Sequence, residues 1–288
     1  MKPYLKDAMR EVLAGWRQDL NPAWWSAVKG IELGFDAMDS ELTLAPGEPV
    51  FPARKDTHYP GAPKGAYVFR AFDDIAPSDV RIVVLGQDPY PCGAFSTGRA
   101  FEAGNVAHWR ELEKMFSVSV RTFMLLIAAA RTGDRSYLRS VAEWTRLRDE
   151  IEAGGFAIEP ASEIAARWVR QGVLLLNSAL TLSRFAIEGD PHQLRGHLPL
   201  WRPFVTAVLG HLARRGSPIV FIGFGGQAAS ALAGAGVAET AVEERSARQV
   251  GCILREHPAR GDEVLALPNP FVLANRYLEA MRVIPVSW

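Results

Sequence analysis

The chain has 288 residues, 48% hydrophobic and 22% charged, an ordinary globular composition with enough length to enclose a site inside a core. The 32 Lys and Arg balance the 32 Asp and Glu, which excludes a strongly basic nucleic-acid binder, so any contact with a polyanion must rest on a local patch. Two cysteines, Cys92 and Cys252, exclude a disulfide scaffold and leave packing as their simplest role. The chain has no apolar run long enough to span a membrane, and its first residues, Met1-Lys2-Pro3-Tyr4-Leu5-Lys6-Asp7, lack the apolar stretch of a signal peptide. These features predict a soluble, cytoplasmic protein.

In chain order, residues 14–28 form a Trp-rich stretch with helical character, and the Pro- and Gly-rich residues 46–63 read as an extended loop. The apolar run 80–85 is the first candidate strand, followed by 172–176, 219–222 and 250–254. Helical patterns lie near 108–131, 140–152, 160–170, 199–215, 225–234 and 270–282. Pro199 and Gly216 stand where a start and a stop of one of these helices belong. This alternation predicts an α/β protein with a mostly parallel sheet flanked by helices.

Ligands of open parallel sheets bind beyond the carboxyl ends of the strands, so the strand exits carry the functional information. The first run leads into Gly86-Gln87-Asp88-Pro89-Tyr90, the second into Asn177, the third into Gly223-Phe224-Gly225-Gly226 and the fourth into His257-Pro258. A carboxylate, an amide, a glycine turn and an imidazole would therefore share one rim. Such a set suits a hydrolysis that develops charge on a leaving group. Asp88 could stabilise a cation or orient water, His257 could donate to a developing anion, and Asn177 could read an edge carrying one donor and one acceptor. Each also has a plain structural reading: a turn before proline, a strand-end cap and a structural His-Pro pair.

The same residues resemble the signatures of the family 1 uracil-DNA glycosylases. Gly86-Gln87-Asp88-Pro89-Tyr90 after Val83-Val84-Leu85 is similar to the family's first motif, and Ala100-Phe101 to the aromatic that stacks on uracil. Leu174-Leu175-Leu176-Asn177 with Leu180-Thr181 resembles the uracil-reading strand end. His257-Pro258 looks like the start of the DNA-intercalation loop, and Phe271-Val272-Leu273-Ala274-Asn275 like the helix after it. Upstream, Val68-Phe69-Arg70-Ala71-Phe72 fits the approach to the first strand, so the resemblance runs from about residue 68 to 280.

The resemblance implies a three-layer α/β/α domain with a central four-stranded sheet over 67–288, an N-terminal extension over 1–66 packed on it, and a helical insertion around 105–165. It implies flipping of deoxyuridine from single- or double-stranded DNA and hydrolysis of its N-glycosidic bond, by a monomer without metal or cofactor. Asp88 and His257 would be catalytic, and Gln87, Tyr90, Phe101 and Asn177 would bind the base.

The chain also departs from the family. Pro91 replaces a histidine that organises water near the carboxylate, and Gly93-Ala94-Phe95-Ser96-Thr97-Gly98 shares little with its family counterpart. After His257-Pro258, Ala259 replaces a phosphate-binding serine and Gly261 the leucine that plugs the vacated stack. Pro258, Arg260 and Gly261 are the residues expected at the DNA, with Arg260 either compensating for the lost leucine or lying solvated on the surface. A phage-type protein inhibitor that sequesters that leucine is expected to bind poorly. Arg139, Arg146 and Arg148 of the insertion offer a further DNA or partner contact, or simply a charged surface. Two other readings stay open: a non-catalytic module binding uracil or abasic DNA, and a glycosylase for another modified pyrimidine.

Overall fold

The computed structural model describes residues 2–57, 59–114, 118–186, 189–240 and 249–288. The four apolar runs are strands: β1 (Ile82–Gly86), β2 (Val173–Asn177), β3 (Ile219–Phe224) and β4 (Val250–Arg255). All pairings are parallel, in the order β2-β1-β3-β4. The strand order reverses about β1, which opens a crevice at its carboxyl end, the usual ligand position in such sheets.

Both faces of the sheet are covered, which is why the strands read as continuous apolar runs. Side chains alternate across the sheet. Val83, Leu85, Leu174, Leu176 and Phe221 pack on one side with helices α1 (Leu5–Val12), α5 (Leu198–Arg214) and α6 (Gly226–Gly234). Ile82, Val84, Leu175, Val220 and Ile222 pack on the other with α2 (Val118–Thr132), α3 (Glu143–Glu152), α4 (Ile164–Arg170) and α8 (Pro270–Ala280). A four-residue α7 (Asp262–Leu265) lies on this second side. The expected three-layer α/β/α architecture is therefore observed, with every sheet pairing parallel.

Two helical expectations need correction. The stretch 14–28 is not one helix: the helix is α1, upstream of it, and the Trp-rich segment makes two short 3-10 turns, Trp16–Gln18 and Pro22–Trp24. Gly15 enters the left-handed region at φ 71° and interrupts the helix, and the Asn21 side chain accepts the Ala23 N–H at 3.0 Å to start a separate turn at Pro22. The pattern 108–131 divides into a 3-10 turn, Trp109–Lys114, and α2, while residues 115–117 lie outside the described residues. The expected loop 46–63 carries only an isolated bridge, Phe51 to Leu182, with residue 58 outside the described set.

A wide π-helical turn, His192–His197, precedes α5. Residues 1–66 reach deep into the same core as the sheet. Leu5, Met9 and Trp24 are fully buried, and Trp16 meets Phe69 and Phe204 at ring-centroid distances of 5.7 and 5.5 Å. Phe69 is the centre of this cluster, also touching Phe72, Trp201 and Phe204. Truncating it leaves a cavity that these rings cannot close. Phe69→Ala is expected to lower stability by about 3–5 kcal/mol, read as a fall in the urea midpoint at constant slope.

Candidate active site

The strand ends open into a cavity of about 1020 Å³ lined by Gly86, Gln87, Asp88, Tyr90, Phe101, Asn177 and His257, among others. Gly86 and Asn177 are register partners at the ends of β1 and β2. The ladder continues past them: Ser178 donates from its N–H (3.0 Å) and its Oγ (2.9 Å) to the Gly86 carbonyl, and the Ala179 N–H donates to the Gln87 carbonyl at 2.8 Å. These bonds fix the backbone that presents Asp88. Gly86 is required here because a Cβ at that position would sit 2.6 Å from Asn177 Oδ1 and 3.4 Å from the Phe101 ring.

Asp88 accepts hydrogen bonds from Gln193 Nε2 and, at 3.3 Å, from Gln87 Nε2. Burial pushes its carboxyl up to about 6, against the two amides, which favour the ionised form. Asn177 is buried, and no described protein group hydrogen-bonds its side-chain amide, which lines the cavity. Phe101 adopts a left-handed backbone (φ 59°), a conformation that strains an aromatic residue. The Ala100 N–H anchors this segment to the Leu175 carbonyl at 3.1 Å. One face of Phe101 stacks on Phe123 (4.5 Å, 12°) and its edge meets Phe224 (5.4 Å).

His257 lies just past β4 and rests on Gly225, whose φ of 89° and missing side chain admit it; a Cβ there would come within 3.3 Å of the His257 side chain. Its Nδ1 accepts the Ala259 N–H at 3.2 Å. A backbone N–H only donates, so Nδ1 carries no proton and the proton of the neutral ring is on Nε2. Burial holds the imidazole below its ordinary range, favouring that neutral form.

The residues expected to face DNA are placed differently. Pro258 is buried. Arg260 pairs with Glu263 at 2.9 Å and Glu256 at 3.5 Å and does not line the cavity. Gly261 is buried against Val141: a Cβ there would meet Val141 Cγ2 at 2.7 Å. The position therefore faces inward, and side-chain loss at 261 permits close packing of the turn on residues preceding α3. Arg146 is engaged with Glu143 at 3.1 Å and lies over the Tyr137 ring, while Arg148 pairs with Asp149 at 2.8 Å. Their charges are locally compensated.

Sequence reasoning missed Gln193, which reaches the cavity from a π-helical turn 105 residues beyond Asp88. It also missed Arg99, buried and ion-paired with Asp74 (2.7 Å) and Glu102 (3.2 Å), and the exposed apolar rim of Val118, Phe185 and Leu194. Two histidines five residues apart, His192 and His197, in His192-Gln193-Leu194-Arg195-Gly196-His197 were the available signal for Gln193.

No family model matches the chain. A uracil-DNA glycosylase of Bordetella petrii is 28% identical over 232 residues, covering 78% of this chain and 71% of that protein. One from Bordetella pertussis is 33% identical over 172 residues, 59% of this chain and 50% of the relative, so the match there spans half the relative's length. The chain is thus similar in sequence to uracil-DNA glycosylases. The crystal structure of mimivirus uracil-DNA glycosylase shares the fold, with a TM-score of 0.61 at 16% identity over 100% of this chain and 94% of that one.

The turn carrying His257 is tied to the residues preceding α3 by Asp262, which accepts the Val141 N–H at 2.7 Å and the Ser140 hydroxyl at 3.3 Å. Asp262→Ala is expected to lower stability by about 1 kcal/mol and to accelerate hydrogen exchange of the Val141 amide.

Proposed function

We propose that the protein is a uracil-DNA glycosylase that hydrolyses the N-glycosidic bond of deoxyuridine flipped out of single- or double-stranded DNA. The observation that carries this reading is that Asp88, Asn177 and His257, from the ends of three strands, face one cavity beside the Phe101 ring. The free face of Phe101 stacks on the base, its other face being backed by Phe123. Asn177 donates to uracil O4 and accepts from N3–H; cytosine reverses both polarities and would leave buried polar groups unpaired. Tyr90 stands against C5 and excludes the thymine methyl, and Gln87 completes the base pocket.

Bond cleavage separates charge. The C1′–N1 bond breaks with its electron pair on uracil, the sugar becomes an oxocarbenium-like cation, and water supplies hydroxide to C1′ and a proton to the leaving base. His257 donates its Nε2–H to O2 as negative charge grows there. The ionised Asp88 stabilises the cation and orients the water. A neutral imidazole suits this role because its donor persists without a competing fixed charge.

The DNA face is built from the cavity rim. Gly261, packed on Val141, supplies no wedge, and Arg260 is paired with acidic neighbours. Val118, Phe185 and Leu194 are exposed apolar side chains at the mouth, and they take the place of the wedge in holding the base out of the stack. Residues 67–288 make up the catalytic domain and 105–165 its insertion. A pure binding module has no use for a partly buried carboxylate facing the cavity, which disfavours that alternative.

Excision is tested on single- and double-stranded oligonucleotides carrying uracil, thymine or 5-hydroxymethyluracil, with alkaline cleavage at abasic sites. Cutting at uracil alone is expected, and an uncut uracil strand refutes the reading. Asp88→Asn and His257→Ala should each slow excision on the order of 100- to 1000-fold with the fold retained by circular dichroism. Because the working form of Asp88 is ionised, kcat/KM should rise with pH through about 6, while burial favours the neutral, donating form of His257. The phage-type protein inhibitor should give no stoichiometric complex at micromolar concentrations, since residue 261 is glycine and is buried.

A further inference from the structure

We infer that Gln193 is a positioning residue for the glycosylase reaction, donating from its side-chain amide to Asp88 to hold that carboxylate in line with the sugar and water; this rests on the function proposed above. Gln193 is 2% exposed, lines the cavity and bonds Asp88 Oδ2. A carboxylate accepts and does not donate, so the amide nitrogen must face it.

The turn that carries Gln193 is held by a buried hydrogen-bond relay whose direction is fixed at both ends. Trp201 Nε1, a donor only, bonds Thr181 Oγ1 at 2.7 Å. Thr181 meets His197 Nδ1 at 2.9 Å, His197 Nε2 meets Ser183 Oγ at 2.9 Å, and Ser183 meets His192 Nδ1 at 2.9 Å. His192 then bonds the Thr43 carbonyl, which can only accept. With both rings neutral, every hydroxyl donates onward and every partner is satisfied. Burial favours that state in both, pushing His197 down to about 3. A fully satisfied buried network is stiff and specifies one arrangement.

The N-terminal segment closes the same turn from outside. Asp39 N–H donates to the Arg195 carbonyl at 2.9 Å, and Gly196 packs on Leu5, which would clash with any Cβ there at 2.8 Å. A π-helical widening within a helix commonly marks a functional site, and here it aims one amide at the cavity. Pro91, which has neither a side-chain donor nor an N–H, cannot supply that hydrogen bond from the other side.

The other titratable or charged groups lining the cavity do not set the ionisation of Asp88. Arg99 is committed to Asp74 and Glu102, and burial favours the neutral form of His257. Burial, Gln193 and Gln87 determine it, in that order.

The test compares wild type with Gln193→Leu and the isosteric Gln193→Glu on an oligonucleotide containing one uracil, recording kcat, KM and the pH dependence of kcat/KM. Gln193→Leu is expected to lower kcat tenfold or more with KM within about threefold. Its acid limb should move about one to two pH units above that of wild type, because a bond to the charged form is lost. Gln193→Glu should displace the limb further, since two carboxyls must then share one proton. An acid limb that stays at the wild-type position in either variant overturns the inference, whatever happens to kcat. Because Gln193→Glu keeps the shape of the side chain, it remains readable if Gln193→Leu unfolds. Wild type that fails to cut uracil refutes the function instead, so the two failures are distinguishable.

Discussion

Half-burying a carboxylate past the end of β1 is the constraint around which this molecule is arranged. Away from water an ionised Asp costs several kcal/mol unless donors surround it, and proton uptake is its simplest escape. Asp88 lies partway along that path, at about 6, with two amides opposing protonation. The sign is unfavourable to stability. A carboxyl raised above its ordinary value favours the folded state most at low pH and withdraws that contribution as pH rises through 6. The fold therefore carries an ionised Asp88 at neutral pH as a cost, which the surrounding core has to offset.

That core is arranged to hold backbone and donors still. The β1–β2 ladder extends through Ser178 and Ala179 onto Gly86 and Gln87, so the peptide ahead of Asp88 has little freedom. On the opposite wall, Trp201, Thr181, His197, Ser183 and His192 anchor the turn bearing Gln193, and Leu5 and Asp39 press it into place. The N-terminal residues are thus part of the support for the site. His257 is secured separately, on Gly225 beneath it and through the neighbouring Gly261 and Asp262 contacts to residues 140–141.

Much of this was legible in the sequence because parallel strands buried on both faces leave continuous apolar runs, and the residues that end each run are set at the sheet's carboxyl edge. Asp88, Asn177 and His257 could be placed on one rim for that reason. Gln193 could not, because no apolar period reveals a π-helical widening and its partner is far away in sequence. Gly261 was misplaced for a related reason: matching positions along a loop assigns each residue a place in the order and not a direction, and the φ of 54° turns this one toward Val141. The Trp-rich segment misled because indole rings produce a helical pattern that Gly15 and Pro22 break up.

The neutral overall charge acquires a meaning from these placements. Arg99, Arg146, Arg148 and Arg260 each face acidic partners within the chain, which reduces the positive charge these four present to phosphates over a distance. Under the proposed function, contact with DNA then depends less on steering and more on the cavity mouth, where Val118, Phe185 and Leu194 expose apolar surface. Apolar contact with unstacked bases is insensitive to salt, whereas phosphate contacts weaken as counterions accumulate. Under that proposal, an apolar rim gains most from bases that are already accessible, because unstacking then costs least.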